Sequence, residues 1–594
     1  MASDATWGTH KWWKEAVVYQ IYPASFKSTG TSTRPGWGDL RGIISELDHI
    51  KWLGVDVVWL SPIYKSPQVD MGYDISDYKD VDPLYGSLSD VDELIRELHK
   101  RDMKLMMDLV VNHTSDQHAW FKESRSSLDN PKRDWYIWKK PKIDEKGQRQ
   151  PPNNWSMLLG EANSAWTYDE KTDEYFLSLF TAEQPDLNWE NPAVREAVND
   201  ILRFWLDRGA SGFRMDVINM ISKVQEFPDA PVVAPGHKYQ PGYKFYTNGP
   251  RLHEFLHGMY TDVLSKYDTI TVGEMPWCRE ADDILRVVGA KAEELNMIFI
   301  FELVDIDDDW GRFRLSLRHF EPREIKEIQT RYQRMMIERD GWNSVFCENH
   351  DNPRSVTRYT DDSDQFREIS AKLLCLMETF LCGTLYVYQG QEIGMRNIPP
   401  EWDPSEYKDV ESQNYWKKMN DMHPGDKEKL DFARKVLQRK ARDNARTPMQ
   451  WTSEPHSGFC KETITPWMRV NDDYKTVNVS AQRAYQDSEN LSVLQFWKES
   501  LVIRKSDKAS FTYGDYQLLS DDASAVFAYQ RTSKSRTWIV ALNLSGDAVK
   551  WNPPHNLKIE EWKLGNYNGR PMQPKAGQIE LRPWEGLLGK ALST

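Results

Sequence analysis

Apolar positions between residues 16 and 388 alternate between two patterns. Short, mainly apolar runs such as Val55–Leu60 (VDVVWL) are typical of strands that are covered on both faces of a parallel sheet. Segments with helical spacing follow these runs, as in Leu40–Leu53. In later segments Ser89 is expected to cap one helix, and another is expected to open at Asn191-Pro192 and to close at Gly209.

The count of these strand–helix units predicts the fold class. About eight units are present, which is the number that closes a parallel (β/α)8 barrel of the TIM type within the α/β class. An open doubly wound sheet is the structural alternative, although no G-x-G-x-x-G or Walker sequence follows any strand to support its phosphate-binding forms. The predicted strands begin at Ala16, Val55, Lys104, Gly212, Thr269, Met297, Ser344 and Thr384.

Two segments interrupt this alternation. Residues 112–184 are polar, aromatic and proline-bearing, and they are too long for an ordinary loop, so we expect a small inserted subdomain that roofs the barrel mouth. From about residue 510 short alternating runs predict an antiparallel C-terminal β-sandwich domain at 511–594. The barrel then comprises residues 1–111 and 185–510. Within it, the charged stretch 425–446 is predicted to be a solvated helix that leads into a loop.

Composition narrows the possible partners. A chain of 594 residues predicts two or three domains, and its 25 tryptophans and 26 tyrosines provide flat rings that suit the apolar faces of sugars. The net charge of −14 argues against a nucleic acid or an anionic membrane surface as partner. It favours a neutral or cationic small molecule in an acidic site.

Cysteine usage and the N-terminus predict the compartment. The five cysteines are widely spaced, lack a C-x-x-C pair and adjoin no histidines, so we expect reduced core thiols rather than disulfides or a metal site. Neither a secretory signal nor a span-length apolar stretch is evident, which favours a cytoplasmic location without a membrane partner. We expect no cofactor, and a monomer or a weak homo-oligomer.

Titratable residues stand where the predicted strands end, which is the face that carries active sites in such barrels. In Gly212–Val217 (GFRMDV), alternation places Arg214 and Asp216 on one face, and a neighbouring guanidinium keeps a carboxylate nucleophile ionised. Taken alone, this pair would be interpreted as a structural ion pair. Asp70–Asp74, Asp108, Asn112–His113, Glu274 and Glu348–Asn352 stand at the ends of other strands.

Convergence of these carboxylates is the basis of the functional prediction. Acids at the ends of strands four, five and seven would crowd negative charge into one mouth. Such crowding raises at least one pKa and produces the acid and base that glycosidic cleavage requires.

Five motifs in the same order resemble the signature regions of glycoside hydrolase family 13, the α-amylase family. They are Tyr19–Pro23 (YQIYP), Asp108–His113 (DLVVNH), Gly212–Asp216 (GFRMD), Gly273–Glu274 and Glu348–Asp351 (ENHD). Two further motifs resemble its oligo-1,6-glucosidase and maltase branch, especially intracellular fungal and yeast α-glucosidases: Gln184–Trp189 (QPDLNW) and Arg442–Trp451 (RDNARTPMQW).

The resemblance implies a retaining, exo-acting α-glucosidase that acts on short oligosaccharides. Asp216 would be the nucleophile, Glu274 the acid and base, and Asp351 the carboxylate that stabilises the oxocarbenium-like transition state. Asp70 and Arg442 would close the pocket behind the first glucose, so that one glucose is removed at a time. The other implied substrate-binding residues are His113, Arg214 and His350 around the first sugar, Tyr73 and Phe180 as stacking surfaces, and Gln184 nearby.

The prediction of which glycosidic linkage is cleaved rests on Val217. In this branch Val after the nucleophile accompanies α-1,6 activity, whereas Ala or Thr accompanies α-1,4 preference. A β-branched residue is also a good strand former, so maltose and sucrose stay open beside isomaltose.

The sequence lacks two motifs that occur in other members of the family, and one noncatalytic class of relatives is an alternative. Residues 27–39 lack the D-x-N-x-D-G calcium loop of many relatives, and residues 313–323 lack the R-L-D-R-D sequence of sucrose isomerases, so we expect no calcium at that loop and hydrolysis rather than isomerisation. Glucosyl transfer stays compatible with the same intermediate. A noncatalytic ancillary subunit is the alternative outside catalysis. Such relatives carry a membrane span and have lost catalytic carboxylates, and neither feature is expected for this sequence.

Overall fold

The computed structural model describes residues 9–160, 163–308, 315–487, 490–521, 525–568 and 577–592. Eight parallel strands form one sheet. Their bounds are β1 Val17–Ile21, β2 Val57–Leu60, β3 Lys104–Leu109, β4 Gly212–Met215, β5 Ile270–Glu274, β6 Met297–Phe299, β7 Ser344–Val345 and β8 Thr384–Tyr388. Their spatial order in the sheet is β6-β5-β4-β3-β2-β1-β8-β7. The predicted barrel strands are thereby confirmed, although β7 ends at Val345 instead of continuing to Glu348.

The two outer strands of this order meet and nearly close the barrel. The Ser344 hydroxyl on β7 donates a hydrogen bond to the Ile298 carbonyl on β6 at 2.7 Å. At the start of β4, Gly212 allows β5 to approach, because a Cβ there would lie only 1.8 Å from the Ile270 carbonyl oxygen. The sheet register then places Arg214 directly beside Asp108 of β3.

A helix or helix pair covers the outside of the barrel after each strand, as the spacing predicts. The segment Leu40–Leu53 is two helices instead of one. In chain order the covering helices are Leu40–Ser45 with Leu47–Leu53, Leu88–His99, Pro192–Arg208, Leu252–Asp262, Ala281–Val288, Pro322–Arg339, Arg367–Thr379 and Val493–Ser506.

Helix ends confirm one predicted cap and correct another. The Asn191 side chain caps Pro192–Arg208, which ends at Gly209 in the left-handed conformation. The prediction that Ser89 caps the helix Leu88–His99 is wrong, because Ser87 is its N-cap residue. Its hydroxyl accepts from the Asp90 amide, and the Asp90 carboxylate accepts from the Ser87 amide, which is the reciprocal capping box.

The segment after β3 forms the inserted subdomain over the barrel mouth. Its three-stranded antiparallel sheet comprises Trp138–Lys139, Glu174–Leu177 and Trp166–Asp169. The hydrophobic cluster of this insert also includes Val217 and Met220 from the segment after β4. The insert therefore packs directly against the ends of the barrel strands.

The C-terminal segment contains two antiparallel sheets whose apolar side chains share one cluster. This arrangement confirms the predicted antiparallel β structure, with a two-stranded second layer. The larger sheet comprises, in spatial order, Asp515–Leu518, Val526–Thr532, Thr537–Asn543, Gly586–Ala591 and Ile559–Gly565, and the smaller one pairs Val549–Trp551 with Ile579–Leu581.

The charged stretch 425–446 differs from its prediction as a solvated helix. The helices Lys427–Lys440 and Asp443–Arg446 form there. Val436 and Leu437 are buried, and both belong to a cluster with residues of the segment after β8. The many charged residues of the stretch had obscured the apolar face of the helix Lys427–Lys440. The residues of the shorter helix, including charged Asp443 and Arg446, are buried in the protein interior.

All five cysteines are free thiols and buried, as expected of reduced core residues. Within the described ranges, every helix is too short or too polar to cross a membrane.

Candidate active site

A cavity of about 190 Å³ opens at the C-terminal ends of the barrel strands. The carboxylates of Asp216, Glu274 and Asp351 all line it, so side chains from strands four, five and seven do meet around one space. Asp70, Tyr73, His113, Phe180, Val217 and Arg442 also line this cavity, whereas Gln184, Arg214 and His350 lie behind its wall and bond to residues that line it.

Arg214 joins three carboxylates at the base of the cavity. Its Nη1 donates to Asp216 Oδ1 and to Asp108 Oδ1, each at 2.8 Å, and its Nη2 donates to Glu274 Oε2. The guanidinium is almost completely buried, so these ion pairs are poorly screened. The residue therefore fixes the positions of Asp216 and Glu274 relative to each other.

The surroundings of Asp216 shift its pKa. Burial raises the pKa of Asp216 well above its ordinary value; Arg214 opposes that rise, and the charges of Glu274 and Asp108 add to it.

Backbone geometry couples the two acids further. Val217 has φ 32° and ψ 43°, a left-handed conformation that is strained for a β-branched residue. In this conformation its amide N–H donates to Glu274 Oε2 at 3.3 Å. Because Oε2 already accepts from Arg214, a proton on the Glu274 carboxyl resides on Oε1.

The far end of the cavity is closed by an ion pair. Arg442 Nη2 donates to Asp70 Oδ1 at 2.9 Å, and both side chains are 5% exposed. The Gln184 amide donates to the other oxygen, Asp70 Oδ2, at 3.1 Å. His113 lies beside this group, with its ring tilted against Phe180 at a centroid distance of 4.8 Å. The cavity is thus blind at this end.

Asp351 is held by two arginines from the segment after β8. Arg446 Nη2 donates to its Oδ1 at 2.7 Å, and Arg442 Nη1 donates to the same oxygen at 3.3 Å. Both arginines also pair with Asp409 Oδ2 at 2.7 Å. The other oxygen, Asp351 Oδ2, lies 3.4 Å from His350 Nε2.

His350 is a neutral hydrogen-bonding group. Burial lowers the pKa of His350 well below its ordinary value. The Gln20 amide lies 2.7 Å from Nδ1, which assigns the ring hydrogen to Nε2, 2.6 Å from the Tyr73 hydroxyl. That hydroxyl then donates to Asp108 at 3.1 Å. The hydroxyl of Tyr73 is therefore held between His350 and Asp108.

His113 is neutral as well, since burial lowers its pKa to about 4. The Asn112 amide lies 3.2 Å from its Nδ1, and its Nε2 lies 3.2 Å from the Tyr73 carbonyl. Asn112 in turn donates to Asp186 at 3.1 Å, and buried Lys223 bonds to Asn112 at 2.9 Å and to Asp186 at 3.0 Å. This cluster ties the insert to β3 and to the segment after β4.

Several charged residues of the site were not predicted as part of it: Asp108, Asp409 and Arg446, together with Asp305, Asp308 and Glu411, which line the cavity. Asp108 was noted at the end of the third strand, and its spacing to the Asn112-His113 pair was the available signal. Burial raises the pKa of Asp108 to about 6, and Arg214 opposes the rise. Asp409 lies in a polar segment without any distinguishing pattern, and only the folded chain brings it to Arg442 and Arg446.

The loop after β1 shows how its single carboxylate is used. Asp39 Oδ1 accepts from the Gly42 amide at 2.8 Å, and Oδ2 accepts from the amide and hydroxyl of Thr29 at 2.8 and 2.9 Å.

Among the side chains that the structure describes, no group of three or more histidines, cysteines, aspartates or glutamates is arranged to hold a metal ion.

Comparisons with known proteins agree with this geometry. The alpha-amylase catalytic domain matches residues 20–514. The alpha-glucosidase of Schizosaccharomyces pombe is 48% identical over 579 residues, which cover 98% of this chain and 98% of that protein. The oligo-1,6-glucosidase of Parageobacillus thermoglucosidasius is 45% identical over 582 residues, or 98% of this chain and 99% of that protein.

Among solved structures, the isomaltulose synthase of Protaminobacter rubrum superimposes with a TM-score of 0.90 at 37% identity. The match covers 98% of this chain and 100% of that one. The barrel, the insert and the C-terminal sheets are therefore shared over nearly the full length.

Proposed function

The chain belongs to the α-amylase family and is a glycoside hydrolase, and from this premise we propose that it is a retaining, exo-acting α-glucosidase that releases glucose from short α-glucosides. One observation carries the proposal. Asp216 and Glu274 share Arg214 at the base of a cavity that Asp351 also lines and that the Asp70–Arg442 pair closes.

In the first step, Asp216 attacks the anomeric carbon while Glu274 transfers a proton to the departing oxygen. Arg214 donates a hydrogen bond to Asp216 and so supports its ionised form. The two hydrogen bonds to Glu274 Oε2 direct the transferred proton to Oε1. The products of this step are a covalent glucosyl-enzyme and the released alcohol.

In the second step, Glu274 takes a proton from water, whose oxygen attacks the anomeric carbon and displaces the Asp216 carboxylate. Two inversions give net retention, so the released glucose is the α-anomer. Asp351 stabilises the oxocarbenium-like transition states through its charge and through hydrogen bonds to ring hydroxyls. Neutral His113 lines the cavity around the same sugar, and neutral His350 positions Tyr73 from behind its wall.

The closed end of the cavity supports exo action. A second glucose beyond the Asp70–Arg442 pair would have to displace a buried ion pair, which is costly. The enzyme therefore binds one glucose behind the scissile bond and releases glucose singly.

Linkage preference is proposed from Val217, which lines the cavity directly after the nucleophile. Its apolar side chain lies on the second-sugar side of the cavity, and we assign the preference for the α-1,6 connection of isomaltose to this apolar character. The similarity to a protein named oligo-1,6-glucosidase supports this preference, and the similarity to one named alpha-glucosidase keeps maltose and sucrose among the substrates.

A second candidate function, sucrose isomerisation, is raised by the structural similarity to an isomaltulose synthase. The absence of R-L-D-R-D from residues 313–323 favours hydrolysis instead. Residues 309–314, which include the start of that stretch, lie outside the described residues. A noncatalytic binding role is disfavoured, because all three carboxylates are present and line one cavity.

The test is a substrate panel of maltose, isomaltose, sucrose and trehalose in which NMR follows the first product anomer. We expect α-glucose, and isomaltose as the preferred disaccharide. Asp216→Ala should lower the rate by at least about 10⁴-fold, whereas Asp129→Ala, at an exposed surface aspartate, should leave it unchanged. Initial release of β-glucose, or an active Asp216→Ala enzyme, would refute the mechanism, and isomaltulose as the main product from sucrose would favour the isomerase.

A further inference from the structure

We propose that Asp409 is a positioning residue for the proposed reaction: its carboxylate holds Arg442 and Arg446 so that Asp351 keeps its place and its negative charge beside the sugar. Asp409 lies outside the set of residues that line the cavity, so it acts through other side chains. This inference rests on the proposed glucosidase function, because it concerns how strongly Asp351 stabilises the positively charged transition state.

The two oxygens of the Asp409 carboxylate have different partners. Oδ1 accepts from the Glu411 amide and from Arg442 Nε, each at 3.0 Å. Oδ2 lies 2.7 Å from Arg442 Nη2 and 2.7 Å from Arg446 Nη1. One oxygen therefore caps the helix Val410–Met422, whereas the other bridges the two arginines.

The same two arginines meet again at Asp351. Arg446 Nη2 and Arg442 Nη1 both donate to Asp351 Oδ1, at 2.7 and 3.3 Å. Each guanidinium thus reaches Asp409 with one terminal nitrogen and Asp351 with the other. Because the guanidinium is rigid and planar, a shift of either arginine relative to Asp409 also moves the donors that hold Asp351.

The charge of Asp409 counters the repulsion between two neighbouring cations. The side chains of Asp409 and Arg446 are 1% exposed and that of Arg442 is 5% exposed, so water screens these charges poorly. Burial alone would raise the pKa of Asp409, but the charges of Arg442 and Arg446 outweigh it and hold this pKa below its ordinary value. The Asp409 carboxyl group is therefore ionised at neutral pH.

Loss of this charge would direct Arg446 toward Asp351. Within the described residues, Arg446 forms ion pairs with the carboxylates of Asp351 and Asp409, whereas Arg442 also pairs with Asp70. Without a charge on Asp409, the Arg446 guanidinium would offset more of the negative charge of Asp351. The developing positive charge on the sugar would then be stabilised less, which lowers kcat more than it weakens the binding of neutral glucose.

Contacts outside the cavity keep Asp409 in place. Asp443 Oδ1 accepts from the Asp409 amide at 3.0 Å, and Asp443 Oδ2 accepts from the Ser412 hydroxyl at 2.7 Å. Asp443 opens the short helix that ends with Arg446. Asp409 and one of its arginines therefore share an anchor, and the position of Asp409 does not depend on a bound sugar.

The variant Asp409→Asn separates the charge from the helix cap. Asn is as effective as Asp at an N-cap position, so the bond from the Glu411 amide to Oδ1 can persist. The amide nitrogen that replaces Oδ2 would turn hydrogens toward two guanidinium groups, which can only donate. The variant therefore breaks the bridge between Arg442 and Arg446 while the helix keeps its cap.

The experiment uses the full chain and compares a neutral ligand with a cationic one. Calorimetric titration gives the Kd of glucose and the Kd of 1-deoxynojirimycin, which has the shape of glucose and carries a positive charge when its ring nitrogen is protonated. Steady-state kinetics with isomaltose give kcat and KM. In Asp409→Asn we expect a kcat about 10-fold lower and a Kd for 1-deoxynojirimycin about 10-fold higher, with the Kd of glucose and KM changed less than about twofold.

A double-mutant cycle tests whether Asp409 acts through Asp351. Asp351→Asn removes the charge that is to be positioned, and ligand binding can be measured without turnover. In the Asp351→Asn background, Asp409→Asn should change the Kd of 1-deoxynojirimycin by less than about twofold. An equal weakening in both backgrounds would mean that Asp409 attracts the cation directly, and would overturn this inference.

Two further variants complete the test. Asp169→Asn is the matched control, since Asp169 in the insert is also buried and accepts from an arginine, Arg125 Nε, at 2.6 Å; it should leave kcat and both Kd values unchanged. If Asp409→Asn does not fold, Arg446→Lys decides the matter. A lysine keeps the cation but lacks the fork that reaches two carboxylates, so the same contrast between the two ligands is expected.

The outcomes separate this inference from the function on which it rests. Equal weakening of glucose and 1-deoxynojirimycin, or an unchanged kcat, would show that Asp409 has only a structural role and would overturn the inference while leaving the glucosidase function in place. Absence of glucose release from all four sugars of the substrate panel by the unaltered enzyme would overturn the proposed function itself.

Discussion

The guanidinium of Arg442 donates a 2.9 Å hydrogen bond to the carboxylate of Asp70, 372 positions earlier in the chain. Arg442 also donates to Asp351, one of the three carboxylates that line the cavity. One residue thus connects the closed end of the cavity with the proposed catalytic acids. The two ends of the sugar site are therefore not independent.

Replacement of Asp70 by Asn should weaken binding more than chemistry. The change removes a charge-assisted hydrogen bond to buried Arg442, which corresponds to about 1.5–3 kcal/mol, or about 10- to 100-fold in KM for isomaltose. The kcat value should fall less, because Asp70 lies away from the scissile bond. Steady-state kinetics separate the two parameters. In Arg442→Lys, which also disturbs Asp351, kcat should fall as well, and an unchanged KM in Asp70→Asn would contradict the proposed closure.

Replacement of Val217 by Thr should shift linkage preference toward maltose. Val and Thr have nearly the same shape and are equally strained at φ 32°, so the change alters polarity without altering the backbone. We expect the ratio of kcat/KM for isomaltose over maltose to fall by about 10-fold, as a difference of about 1.4 kcal/mol. If both disaccharides keep their ratio, Val217 does not determine the linkage.

Replacement of Lys223 by Met should destabilise the protein strongly. Lys223 is 1% exposed and pairs with Asp186, so its loss leaves a buried carboxylate without its cation and costs about 3–5 kcal/mol. Denaturant unfolding followed by fluorescence measures the loss. The matched control is Lys142→Met, since Lys142 and Asp229 are about 60% exposed and 3.6 Å apart, and its effect should stay below about 1 kcal/mol. Equal effects of the two variants would contradict this account.

Replacement of Glu378 by Gln should flatten the pH dependence of stability. Burial raises the pKa of Glu378 to about 8 from an ordinary value near 4.5. Between these values the folded state keeps a proton that the unfolded state loses, so the free energy of unfolding falls as pH rises. This contribution is fully present below about pH 4.5 and is lost by about pH 8, and it amounts to a few kcal/mol.

The Gln side chain is neutral at every pH and can still accept the 2.8 Å hydrogen bond from the Gln391 amide. Denaturation midpoints at pH 5 and pH 8 should therefore lie closer together in Glu378→Gln than in the unaltered protein. Glu368→Gln, on the same helix with a half-exposed side chain, serves as control and should keep the original spacing. An identical spacing in all three proteins would contradict the prediction.

The sequence alone was sufficient for the barrel and for the candidate acids. Buried parallel strands such as β2 and β8 appear as local apolar runs, so their number and order could be predicted without the fold. Asp216, Glu274 and Asp351 follow such runs, and the ends of parallel strands share one face of a barrel. Their meeting in one cavity therefore followed from position along the chain.

Other features were decided only by the tertiary structure. The arrangement of Arg214 among three carboxylates depends on the register between β3, β4 and β5, and the pairing of Arg446 with Asp409 depends on how the segment after β8 folds back over the mouth. Likewise, the helix Lys427–Lys440 is buried on one side although its sequence is mostly charged. Local patterns report which face of an element is apolar, whereas ion pairs, burial and the pKa values that follow from them depend on which distant groups closure of the barrel brings into contact.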